Sequence, residues 1–188
     1  TDMAVGIALL LGFRLSGNFR APFKALNISD FWRRWHISLS SWFNDYVYAD
    51  LAFQWRNWGK LGVGLAVLLT FLLSGLWHGP NLTFVLWGTL HGLAIAWETV
   101  TRRGRMRVRR GMPAGLYNGL SFVLTISFLG LTFLLFKADN LEEAELMFSR
   151  TFTAFSGGLF LDWLAEYDRV AGVIALALAL HYLPETMK

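Results

Sequence analysis

Four histidines supply most of the proton-transfer chemistry available to this 188-residue chain: His36, His78, His91 and His181. Imidazole has an unperturbed pKa of about 6.5, so it can take a proton from a hydroxyl near neutral pH and give it back. His78 sits in Ser74-Gly75-Leu76-Trp77-His78-Gly79-Pro80. The glycines let backbone or substrate come close, and Pro80 stops the following residues from continuing a regular helix. Two readings of His78 stand: a general base at a helix break, or a buried histidine that only hydrogen-bonds between helices. His36 follows Phe31-Trp32-Arg33-Arg34-Trp35 and precedes Ser38, Ser40 and Ser41. It is either an active-site group or a polar position on an amphipathic helix. His91 lies in Trp87-Gly88-Thr89-Leu90-His91-Gly92, where small neighbours suit tight helix packing and a structural ring bonding across helices. For His181 anchoring at an interface suffices.

Other chemistries find little support. The chain has no cysteine, which removes disulfides, thiolate ligands and a cysteine nucleophile. His78 and His91 are thirteen residues apart, not the short helical spacing of a metal pair. No carboxylate lies inside an apolar run to join them, so no metal site is expected. Gly-x-Ser-x-Gly is absent, and no glycine-rich phosphate loop precedes a helix.

The elements that must position these histidines are membrane helices. The chain is 55% hydrophobic and 16% charged, with nine Trp and sixteen Phe. Soluble domains carry about 25% charged residues, and an aromatic excess of this kind suits a protein that meets lipid. Apolar runs at about 61–77, 82–99 (uncharged from Leu82 to Trp97), 114–136 and 170–184 are read as spans of one all-α, polytopic unit covering 1–188. Ala114 to Phe136 is the cleanest of them, 23 residues without a charge. The apolar run 3–13 is shorter than the about 20 residues a crossing needs, so it reads as a partial span, the chain being the C-terminal part of a longer one. Phe31, Trp35, Leu39, Trp42 and Tyr46 recur at helical spacing. They predict an interfacial helix over about 30–48, N-capped by Ser29 or Asp30. The 151–169 segment reads equally as an interfacial helix or a loop.

Charge orients these elements. Arg102, Arg103, Arg105, Arg107, Arg109 and Arg110 crowd into nine positions between two apolar runs. Positive loops stay cytoplasmic, which places 101–113 and the basic 14–60 stretch inside and the acidic 139–145 segment outside. Topology explains the arginines, and nucleic-acid binding is not expected. Membrane lipid is the first partner.

Four motifs in order then resemble a known family. Phe31-Trp32-Arg33-Arg34-Trp35-His36-Ile37-Ser38-Leu39-Ser40, Asp45-Tyr46-Val47-Tyr48, Gly75-Leu76-Trp77-His78-Gly79 and Trp87-Gly88-Thr89-Leu90-His91-Gly92 are similar to the signature of bacterial membrane-bound O-acyltransferases, of the alginate O-acetylation type. The resemblance runs from Thr1 to about Trp97. It implies a ring of tilted helices with re-entrant or interfacial pieces around a thin centre, in the bacterial inner membrane. It further implies that His78 is the essential histidine and His36 the second catalytic position.

The expected reaction moves an acyl group, most simply acetyl, from a cytoplasmic thioester such as acetyl-CoA toward hydroxyls of an extracytoplasmic polysaccharide. The thioester is a donor substrate, and no permanently bound cofactor is expected. Trp77 and Trp35 would wall the site, and Gly79 and Pro80 would shape the break beside it. Arg33 and Arg34 would either meet donor phosphates or serve orientation alone. An extracytoplasmic transferase is the expected protein partner. D-alanyl transfer, peptidoglycan O-acylation and a non-catalytic transporter or scaffold are the alternatives.

Overall fold

The structure is a computed structural model that describes residues 2–154 and 156–182. Among these every regular element is helical: α1 (Asp2–Leu10), α2 (Ile28–Trp32), α3 (Ile37–Phe43), α4 (Ala49–Gln54), α5 (Lys60–His78), α6 (Leu82–Val100), α7 (Arg102–Gly111), α8 (Ala114–Lys137), α9 (Leu141–Thr153), α10 (Gly157–Glu166) and α11 (Asp168–Tyr182). A π-helical stretch, Asn44–Tyr48, joins α3 to α4. The helix α10 resolves the 151–169 segment as mainly helical. The expected last span reached 184, and its final residues fall outside the described ones.

Helices α5, α6 and α8 form an antiparallel bundle. Helices α5 and α8 are long and apolar enough to cross a membrane. Helix α6 matches α5 in length and packs along its whole run, because glycines replace side chains at the crossing. A Cβ on Gly88 would strike the Phe71 carbonyl and lie 3.2 Å from the Gly75 Cα, and one on Gly75 would strike the Phe84 carbonyl. One turn further along, a Cβ on Gly92 would lie 3.0 Å from the Leu68 Cα.

Polar side chains share the interior with an apolar core, while many large apolar ones face outward. Thr70, Ser74, Thr83, His91, Glu98, Thr125 and Thr132 are buried, while Leu82, Leu86, Leu90, Leu93 and Trp97 form an exposed stripe down α6. Each of those stripe residues follows its predecessor by three or four positions, so they share one face. Such a face requires an apolar surrounding, lipid or protein. The inward threonines satisfy themselves locally, as when Thr70 donates to the Ala66 carbonyl at 2.7 Å.

The bundle has two unlike ends. At one, Lys60 Nζ donates to the Val100 carbonyl at 3.4 Å, and Arg105 Nη2 donates to the Glu98 carbonyl at 2.6 Å. At the other, the Asn81 amide donates to the Asp139 carbonyl, Thr83 Oγ1 donates to the Ala138 carbonyl at 3.3 Å, and Asn140 caps α9 by accepting from Glu143 N at 2.8 Å. Basic segments therefore gather at the first end and the acidic 139–145 stretch at the second.

The helix expected over about 30–48 is instead broken. Helix α2 ends at Trp32, and a turn through Arg33–His36 separates it from α3. Its N-cap is Asn27, whose side chain accepts from Asp30 N at 2.8 Å, rather than Ser29 or Asp30. The aromatic periodicity persists through the break because Phe31 and Trp35 stack on one another at 5.5 Å, which hides the turn in sequence. The arginine segment 101–113, expected as a loop, is mostly the helix α7.

Candidate active site

His78 is the last residue of α5. The helix stops there because Gly79 takes φ 153°, a conformation that side chains rarely adopt, and Pro80 follows. Gly79 also lacks space for a side chain, since a Cβ would lie 3.1 Å from the Phe84 ring. Asn81 then restarts the chain as the N-cap of α6, accepting from Thr83 N at 3.1 Å. Both Gly79 and Pro80 thus act on the site by ending the helix at the histidine.

The half-buried His78 ring stands in an aromatic cage. Trp77 and Phe136 meet it edge-on, each with centroids 4.9 Å away, Trp87 edge-on at 5.5 Å, and Phe84 at 5.9 Å. Trp77 itself remains 60% exposed, so the cage is open on that side. Among the described residues no protein group hydrogen-bonds to the His78 nitrogens, which leaves both for a reacting molecule.

His91 is the contrasting case. It is fully buried, its Nδ1 accepts from Trp32 Nε1–H at 3.1 Å, and its Nε2 lies 3.0 Å from Thr132 Oγ1. An Nδ1 that accepts cannot hold the proton, so Nε2 carries it and donates to the threonine. Thr132 passes its own hydrogen to the Phe128 carbonyl at 2.9 Å. Both ring nitrogens are committed, and the imidazole ties α2, α6 and α8 together.

His36 occupies the turn between α2 and α3 with φ 45° and ψ 54°, a left-handed conformation costly for a residue other than glycine. The turn is held by the preceding loop: Ile37 N donates to the Asn18 carbonyl and Ser38 N to Asn18 Oδ1, both at 2.9 Å. The ring packs against Phe19 at 6.2 Å, its Nδ1 is buried without a partner, and it lies within electrostatic reach of His78. Two histidines separated by 42 positions in sequence thus come close enough to interact electrostatically, though their rings do not touch.

The other expected site residues separate. Trp77 touches His78, whereas Trp35 packs among Phe19, Phe23, Phe31 and Phe133 and makes no ring contact with His78. Trp32 makes no ring contact with His78 either; it meets Trp87 at 5.7 Å, bonds to His91 and lines a cavity. Arg34 is engaged by Asp30, Nε to Oδ2 at 3.0 Å, and its Nη1 reaches the Arg20 carbonyl at 3.5 Å. Arg33 is exposed and borders a cavity.

That cavity, about 620 Å³, lies between the α2–α3 turn with its π-helical continuation and the facing sides of α5 and α6. Its α5 wall is Val67, Thr70, Phe71 and Ser74. His78 follows Ser74 by one turn, so this wall is the helical stripe that ends at His78. On α6 the lining begins at Thr99, near the basic end. From that level to Ser74 the cavity extends over roughly 20 Å of helix. Its hydroxyls come from Ser29, Ser40, Ser41, Tyr48 and Thr99 as well as from α5.

One residue escaped the sequence reading altogether. Glu98, four residues before a cluster of arginines, is buried and accepts from Ile28 N at 2.8 Å, Ser29 N at 3.0 Å and the Ser29 hydroxyl. It anchors the start of α2 and so fixes Trp32 and His36. A lone carboxylate closing an apolar run was the available signal.

Comparison with known proteins agrees with this geometry. The model of the MBOAT, membrane-bound O-acyltransferase family matches residues 1–136. The probable alginate O-acetylase AlgI of Pseudomonas aeruginosa is 36% identical over 195 residues, covering 97% of this chain and 33% of that protein. The peptidoglycan O-acetyltransferase of Helicobacter pylori is 40% identical, over 76% of this chain and 26% of its own length. The teichoic acid D-alanyltransferase of Bacillus subtilis is 32% identical, over 73% and 36% respectively. The chain thus spans about a third of the length of these relatives. A family match over residues 1–136, with an uncommitted histidine where two packed helices meet, leads to one conclusion: the chain belongs to the membrane-bound O-acyltransferase family.

Proposed function

We propose that the protein containing this chain transfers an acyl group, acetyl in the simplest case, from a cytoplasmic thioester to a hydroxyl of an extracytoplasmic polysaccharide. The observation that supports this most directly is the His78 ring, caged by aromatics yet with both nitrogens uncommitted, beyond the end of a cavity that starts near the basic end. In this reading the thioester arm enters past Arg33 and lies along Thr70 and Ser74. Acetyl-CoA or a similar thioester serves as substrate and leaves as free thiol. The acceptor approaches from the side of Gly79–Asn81.

The chemistry then balances within one site. His78 takes the proton of the acceptor hydroxyl as its oxygen attacks the thioester carbonyl. The carbon–sulfur bond breaks, and the departing thiolate recovers that proton, leaving an ester and a thiol. His36, within electrostatic reach of His78, orients the acceptor or polarises the carbonyl. The aromatic cage keeps water from the thioester. General-base catalysis of this kind contributes about 10²–10⁴-fold.

The wider architecture follows the same reading. Helices α5, α6, α8 and α11 cross the bacterial inner membrane as part of a larger helical ring, and the α2–α3 turn enters it from the cytoplasmic side. An extracytoplasmic transferase completes delivery to the polymer. A peptidoglycan or teichoic acid acceptor is the nearest variant, because relatives named for those polymers match about three quarters of this chain.

The test is turnover of a labelled acyl donor by the purified full-length protein, with acceptor or partner present. His78→Ala should abolish ester formation and thiol release while the protein inserts and expresses normally. Undiminished transfer by that variant overturns the base role, and substrate flux without thioester cleavage overturns the enzyme reading in favour of a transporter.

A further inference from the structure

Helix α7 carries its six arginines on two separate stripes. At roughly 100° per residue, Arg102, Arg105 and Arg109 fall within an arc of about 60°, and Arg103, Arg107 and Arg110 within another, well apart from the first. The first stripe alone borders a second cavity, about 180 Å³, closed by Asn27 from the loop before α2 and by Tyr117 and Asn118 from the start of α8. No aspartate or glutamate lines it. Orientation in a membrane needs positive charge near the helix ends but does not need three arginines facing one concavity.

The donors around this cavity are largely unspent. The Arg105 Nη2 is tied to the Glu98 carbonyl at 2.6 Å, yet its Nε is buried with no hydrogen-bond partner. Among the described residues no carboxylate pairs with Arg102, Arg105 or Arg109, so the charge of this stripe is uncompensated and an anion in the cavity would be stabilising. The Asn27 carbonyl oxygen is used by Asp30 N, which turns its amide hydrogens elsewhere. Arg109 lies over the Tyr117 ring at 6.0 Å, which holds the guanidinium at the rim.

We propose that this cavity binds a phosphate group, either the headgroup of an anionic phospholipid or a soluble phosphate compound. Guanidinium forks match phosphate oxygens bidentately, and amide and phenol donors complete the shell. The volume admits a phosphate with a small substituent and is smaller than the roughly 300–1,000 Å³ of sites for drug-sized ligands. Because the cavity joins the α2 approach, α7 and α8, an occupant would clamp the segment that leads to Trp32 and His36 against the bundle. The site is separate from the cavity below His78, and its existence does not depend on the acyl-transfer reading.

Thermal unfolding of the purified full-length protein tests this, since a ligand that binds the folded form raises its Tm. Protein in phosphatidylcholine vesicles is compared with protein in vesicles that also contain phosphatidylglycerol, and both are titrated with pyrophosphate. Arg102→Gln/Arg109→Gln spares the Arg105 tie to Glu98, and Arg103→Gln/Arg107→Gln removes the same charge from the other stripe. The first pair should weaken the apparent affinity by about tenfold or more, and the second should leave it nearly unchanged. Stabilisation by phosphatidylglycerol alone identifies a lipid site, and stabilisation by pyrophosphate a soluble phosphate site. The conservative Arg102→Lys/Arg109→Lys pair, which keeps the charge, should retain part of the effect and guards against misfolding of the glutamine pair. Equal losses from both stripes, or no stabilisation of the unsubstituted protein by either ligand, would overturn the proposal.

Discussion

Two imidazoles thirteen positions apart illustrate how chemistry is assigned at the level of the residue. His91 has a donor on one nitrogen and an acceptor on the other, so it has no proton or lone pair left to offer. His78 touches His91's neighbour Trp87 and yet keeps both nitrogens free of protein partners. Substitutions should therefore separate the two by what they damage. His91→Ala would orphan the Trp32 N–H and leave a void among Trp32, Trp87 and Phe128, lowering stability by about 2–5 kcal/mol. His78→Ala should lower the unfolding temperature in detergent far less while removing activity. If His91→Ala unfolds at the temperature of the unsubstituted protein, its structural role is refuted. His36 belongs to a third type, a side chain held at an uncommon backbone conformation that costs about 1–3 kcal/mol and persists because Asn18 fixes the turn.

For the elements, close approach of α5 and α6 is what puts His78 and His91 on opposite sides of one aromatic cluster. Gly88 faces Gly75 and the Phe71 carbonyl with no space for a side chain, and backbone there cannot step aside. Gly88→Leu should force the helices apart, with loss of the folded protein from membranes and a sharply reduced unfolding temperature. Gly130, inside α8, has nothing within 4 Å of where a Cβ would sit, so Gly130→Ala should be tolerated. It should gain up to about 1 kcal/mol from helix propensity. Comparable damage from both substitutions would show that the glycine crossing is not what holds the hairpin. Helix α2 depends on a different device: five residues long, it cannot be stable by itself and is fixed by Glu98 at its start and by Trp32 near its end.

Across the molecule, charge and hydrogen bonding divide the bundle into two ends. Lys60, Arg105 and the α2 start meet at one, and Asn81, Asp139 and Glu143 at the other. If the basic end is cytoplasmic, a cysteine introduced at Gly104 should react with an impermeant maleimide only after the cells are opened. One at Glu142 should react in intact cells. Labelling in the reverse pattern would invert the orientation and with it the direction of acyl transfer. The chain itself contributes no native cysteine to confuse the result.

Helical class, the apolar runs that became α5, α6 and α8, and the helix stop at Gly79-Pro80 were all legible in the amino-acid sequence, because hydropathy and backbone chemistry act locally. The likeness of four ordered motifs to an acyltransferase family was legible as well, and it singled out His36 and His78 as candidates. Proximity was not. That Trp32 and not Trp35 reaches His91, that Arg33 borders the cavity, and that Glu98 anchors α2 depend on a left-handed turn at His36 and on contacts about 60–70 residues apart in sequence. Periodicity registers which face a residue shares with its helical neighbours. It is blind to a four-residue break that preserves the spacing, and to which side chain a distant helix will meet. Those choices were made by tertiary packing, where burying a carboxylate or an indole N–H requires a partner wherever in the chain one is found.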